Sequence, residues 1–175
     1  MKNYDFAAKF RAAYDYAIAQ YGKGVREAGK LLDPIHTAFL AANGITAQHM
    51  FDYAEDQANG GEPGYDNALA IELVRRSYFF NAQGGKASKH VLDEFTLPAK
   101  TDFVRGIEWL PRIIPKAKAK LRGELPASLM YCCGGDRRFF KAHDILPSEF
   151  LGVVWRYEHD DAAIIEWVVK SSAGK

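Results

Sequence analysis

Cysteine is scarce in this 175-residue chain: Cys132 and Cys133 are its two, and they are adjacent. Neighbouring cysteines close a strained ring if they pair, so a disulfide framework is excluded and two reduced thiols are expected. No apolar run approaches the ~20 residues that cross a bilayer. The N-terminal "MKNYDFAAKFRAAYDYAIAQYG" interrupts its apolar positions with charges and tyrosines, unlike a secretory leader. Neither sign of charge is in excess, with 23 Lys and Arg against 22 Asp and Glu, so no global field draws nucleic acid or an acidic membrane surface. Strand-like alternation is nearly missing, "SLMYC" at 128–132 being the one weak candidate. Internal repeats, nucleotide-binding glycine loops, zincin motifs and nucleophile elbows are missing altogether. These absences leave a cytoplasmic globular protein with no expected cofactor and no membrane partner.

What is present is helical periodicity with punctuation. Phe6, Phe10, Ala13, Ala17 and Tyr21 recur every three or four residues before Gly22 and Gly24, the pattern of an amphipathic helix and its stop. Asp33 followed by Pro34 predicts a helix over 34–42, and Thr46 caps another that ends at Asn59-Gly60-Gly61. Ala68, Ile71, Val74 and Tyr78 stripe a fourth helix, and the aperiodic 86–98 reads as a connection. Beyond it, Thr101 is expected to cap a short helix through Trp109. Pro115 opens "KAKAKLR", Pro147 opens "SEFLGVVWRY", and Asp160 or Asp161 caps a last helix with Glu166 and Lys170 paired at i, i+4. The fold class is therefore all-α: a compact multi-helix protein of about eight helices. It is expected to pack an N-terminal lobe (1–98) on a C-terminal lobe (99–175), or to form one domain.

The densest chemistry lies in "YCCGGDRRFF", residues 131–140. Two glycines permit a turn, Asp136 is a natural N-cap, and Phe139, Phe140 and His143 continue as a core stripe. Arg137 and Arg138 then stand at the positive end of a helix dipole, a position that calls for an anion. A side chain such as Glu94, Glu149, Asp160 or Asp161 is the simpler source; a bound ligand held with Arg112 and Lys116 is the functional one. The same surroundings favour a nucleophilic Cys133, with His143 as its base, against the ordinary reading of cysteine as a core residue. Two further constellations have structural explanations of their own. His49, Asp52 and Asp56 share a helix face that could hold a divalent metal, or simply pair with Arg75 and Arg76. The basic run from Lys100 to Arg122, with Arg105, Arg112, Lys116, Lys118 and Lys120 and interleaved with Trp109, reads as a solvated helix rather than a nucleic-acid surface, because alternate residues do not share a face.

From Gly106 to Trp167 the chain resembles a bacterial family catalogued only as a domain of unknown function, number 5069. The residues that carry the likeness are "LPRIIPKAKA" at 110–119, Gly123, Cys133 and Asp136 of "CGGD", Phe139 or Phe140, "EFL" at 149–151, and the final acidic and apolar helix with Trp167. The chain departs from the family pattern at Pro115, where aspartate is usual, and at Lys118, where arginine is usual. The resemblance implies a helical domain and no particular chemistry.

The residues themselves favour a binding or interaction module for a small anion, phosphorylated ligands included. Its expected site is Arg112, Lys116, Asp136, Arg137 and Arg138, and its partners are such a ligand or another protein. The tyrosine-rich first helix either packs internally or forms a homodimer face. The alternative is a thiol- or metal-dependent enzyme.

Overall fold

The computed structural model describes residues 3–173. Among them are nine α-helices and one two-stranded hairpin, an all-α architecture. None of these helices is long and apolar enough to cross a membrane. The chain divides into two compact units, Met1–Ala87 and Ser88–Lys175, each with its own core.

In the first unit, α1 (Phe6–Gly22) buries Phe6, Phe10, Ala13, Ala17 and Tyr21, the residues its spacing predicts. It packs chiefly on α4 (Ala47–Gly60), with the short α2 (Ala28–Leu31), α3 (Pro34–Ala41) and α5 (Tyr65–Asn81) around them. The predicted caps form: Asp33 accepts the amide of His36 at 2.8 Å, and the Thr46 hydroxyl accepts that of His49 at 3.2 Å. Each cap satisfies a helix-end donor and contributes ~1 kcal/mol. Along the α5 stripe, Ala68, Ile71 and Tyr78 are buried while Val74 is half-buried.

The second unit departs from sequence expectation at three places. Residues 101–109 do not form a helix. Phe103–Val104 (β1) and Ile107–Glu108 (β2) pair antiparallel, Val104 opposite Ile107, across an Arg105-Gly106 turn. Arg105 (φ 52°) and Gly106 (φ 78°) both take positive φ, the requirement of a tight hairpin turn. Next, the helix expected from Pro115 starts five residues earlier, as α6 (Leu110–Arg122), with Pro115 inside it. An interior proline costs ~3 kcal/mol. Burial of Leu110, Ile113 and Ile114 offsets this, at ~1.5–3 kcal/mol each. The lysine-rich helix is accordingly not solvated, since Lys116 and Lys120 are both 2% exposed. Lastly, "SLMYC" is turn and coil rather than strand.

Helix α6 packs on α8 (Pro147–Arg156) and α9 (Asp161–Ala173), and α7 (Gly134–His143) packs on α9. Charge pairs on the α6 surface join it to the last helix and the turn before it: Lys118 to Asp161 at 2.5 Å and Arg122 to Glu158 at 2.7 Å. The Asp160 side chain accepts the amide of Ala163, and Glu166 pairs with Lys170 at 3.6 Å.

Candidate functional site

Asp136 organises the centre of the second unit. It is wholly buried, and both carboxylate oxygens are engaged. Oδ2 takes the Lys116 ammonium at 2.7 Å and the Cys132 amide at 2.9 Å; Oδ1 accepts the indole N–H of Trp109 at 2.9 Å. Asp136 is therefore not the N-cap that the sequence implied. Cys133 occupies that position, and Asp136 stands three residues into α7. From there it reaches back to the amide just ahead of the cap, a variant of the capping-box arrangement that also places negative charge at the positive end of the dipole.

The same shift in helix start moves the arginines beyond the first three helical positions, so the dipole no longer demands an anion from outside. Arg137 donates to the Cys132 carbonyl at 2.8 Å. Arg112 donates to the Pro98 carbonyl at 2.7 Å. Arg112, Lys116, Asp136 and Arg137 thus serve the interior. Two of the carboxylates considered as partners of Arg137 and Arg138 are engaged elsewhere, Asp161 by Lys118 and Asp160 by the Ala163 amide.

This centre holds two non-glycine residues in left-handed backbone. Trp109 and Cys132 each have φ 71°, a conformation that costs ~1–2 kcal/mol for an ordinary residue. Both give an N–H to Asp136, Trp109 from its ring and Cys132 from its backbone, so the carboxylate holds the strained segments in place.

Cys133 is half-buried, and the Lys116 ammonium donates to its sulfur at 3.3 Å. The pairing with His143 does not form. The two residues lie at opposite ends of the ten-residue α7, roughly 15 Å apart along its axis. His143 instead meets Ser172, Nδ1 to Oγ at 2.8 Å, and lies tilted against the Phe139 ring at 4.8 Å between centroids. The Ser172 hydroxyl also lies 2.8 Å from the Val168 carbonyl, so the imidazole and the backbone share one hydroxyl between them.

The His49, Asp52 and Asp56 face is likewise dispersed. His49 turns to the buried Glu72, 3.4 Å away, and Tyr53 donates to the same carboxylate at 2.9 Å. Asp52 accepts from Gln48 at 2.7 Å. Among the described residues, no three His, Cys, Asp or Glu side chains are grouped to hold a metal ion.

An accessible concavity lies beside the Asp136 centre. One face of α7, comprising Gly135, Arg138, Phe139, Ala142 and His143, forms a wall; the hairpin with Trp109 forms the other. They flank an open cleft of about 500 Å³, within the usual volume range for small-ligand sites. Lys100, Thr101 and Arg138 supply its polar groups, with the carboxylate of Glu108 on the hairpin side. Among the described residues, neither Lys100 nor Arg138 has an ion-pair or hydrogen-bond partner, and both are exposed. Gly135 makes the cleft wall possible, because a Cβ there would lie 2.4 Å from the Trp109 ring. Of the anion site expected from sequence, Arg138 alone faces this cleft. Lys100, Trp109 and Phe139 had read only as parts of a basic run and a core stripe, and it is the hairpin that brings them together. Compared with family models, with curated proteins and with solved structures, the chain has no match.

Proposed function

We propose that the protein is a cytosolic binding module for a small anion, phosphorylated ligands included, held between the hairpin and α7 by Lys100 and Arg138. The observation that carries this reading is the presence of two cations without partners on a concave wall, next to a centre where the other basic groups are internally engaged. A guanidinium takes an oxyanion through paired N–H donors, and an ammonium in the same lining adds a second point of charge. Thr101 offers a hydroxyl to the same ligand. No bond is broken: the function is recognition without turnover. We also take residues 106–167 as the segment akin to the uncharacterised family, with Asp136 as scaffold rather than ligand contact.

Thermal unfolding against inorganic phosphate, sulfate and pyrophosphate tests this. A ligand at a hundredfold its Kd adds about 2.7 kcal/mol, read as a raised midpoint. The expected result is a rise with at least one of these anions that is lost in Arg138→Ala and in Lys100→Ala. A rise that persists in both variants, or no rise with any anion, overturns the reading.

A further inference from the structure

The geometry points to an aromatic anion, a single planar ring bearing a phosphate or carboxylate, as the ligand class of this cleft; the inference rests on the anion reading above. Lys100 and Arg138 can neutralise one oxyanion, but they account for little of a 500 Å³ space. Much of the remaining lining is carbon: the half-buried Trp109 indole, the exposed Ala142, and the edges of Ile107 and Phe139, which are 9% and 5% exposed. A bare oxyanion would leave this apolar lining against water. A ring attached to the oxyanion covers it.

The two aromatic walls are also held rigidly. The indole N–H of Trp109 is fixed to Asp136 at 2.9 Å, and the ring edge sits over Gly135 with no room for a Cβ. Phe139 is held edge-on by Phe140 at 5.5 Å and Phe150 at 6.2 Å, and meets the tilted His143 ring at 4.8 Å. Walls that are already ordered lose little side-chain entropy on binding, which favours a flat, rigid guest over a flexible one. Arg138 lies three residues from Gly135 and four from Ala142, so the cation shares a helix face with these two small residues of the lining. The single negative group in the lining, Glu108, stands on the opposite strand and opposes a second anionic group on the guest. One ring with one oxyanion satisfies the charge and the surface together.

The test is isothermal titration of the full-length protein with phenyl phosphate, n-butyl phosphate and inorganic phosphate, with folding of every variant checked by circular dichroism. Phenyl phosphate is expected to bind roughly tenfold tighter than the other two. Phe139→Leu should lower the ratio of phenyl phosphate to inorganic phosphate affinity, and Arg138→Ala should weaken all three ligands. Equal affinity for the three would leave the anion site standing and overturn the aromatic class. Binding of none of them, or binding indifferent to Arg138→Ala, would overturn the anion site itself.

Discussion

The indole N–H of Trp109 and the ammonium of Lys116 meet the two oxygens of one carboxylate, Asp136, at 2.9 and 2.7 Å in the interior of the second unit. Desolvating such a pair costs about as much as their attraction returns, so its presence is not itself a large source of stability. Breaking it is another matter. In Asp136→Ala the Lys116 charge stays buried without its partner, and two N–H donors lose their acceptor. A loss of ~3–5 kcal/mol is expected. Chemical denaturation should show it, and Lys116→Met should cost less, because a neutral thioether leaves the two hydrogen bonds to Asp136 intact.

Gly135→Ala is expected to act on the cleft more than on the fold. The added Cβ would meet two indole atoms at 2.4 and 2.5 Å, so the Trp109 ring must move away from α7. Overpacking of this kind costs ~1–3 kcal/mol. Its signature is a changed Trp109 fluorescence together with reduced ligand affinity, in a protein whose far-UV circular dichroism is unaltered.

Tyr131 predicts the alkaline limit of stability. Its hydroxyl donates to the Pro147 carbonyl at 2.8 Å, and burial, reinforced by nearby Cys132 and Asp136, raises its pKa well above that of a free tyrosine. The folded state therefore keeps this proton where the unfolded chain gives it up. Stability from this group is fully present below the unfolded tyrosine value near 10 and falls by ~1.4 kcal/mol per pH unit above it, until the folded pKa is reached. Tyr131→Phe should lose ~1 kcal/mol at neutral pH through the missing hydrogen bond and show a shallower decline above pH 10. Denaturation midpoints between pH 8 and 11 check both.

The first unit was largely legible because its signals are local. A helical stripe in α1 and side-chain caps at Asp33 and Thr46 lie within a few residues of what they determine. In the second unit, the two-residue strands around Arg105-Gly106 are too short for alternation to register, and a turn of two residues resembles a helix entrance. Proline at 115 marked a boundary that burial overrode. The partnership of Lys116 with Asp136 spans twenty residues, so no spacing rule reports it. One clue was available: with α6 begun at Leu110, Lys116 and Lys120 fall at i, i+3 and i+4 intervals among Ile113, Ala117 and Leu121. A lysine repeated on an apolar face requires a buried partner.

The missing side chain at Gly135 has a meaning for kinship as well as for packing. A related protein that keeps the lysine and carboxylate at positions 116 and 136 keeps the ion pair at the centre of the scaffold. One that carries even a methyl group at position 135 has had to rebuild the tryptophan wall, and with it the recess beside the hairpin. Position 135 therefore separates descendants that retain this recess from those that retain only its supporting architecture.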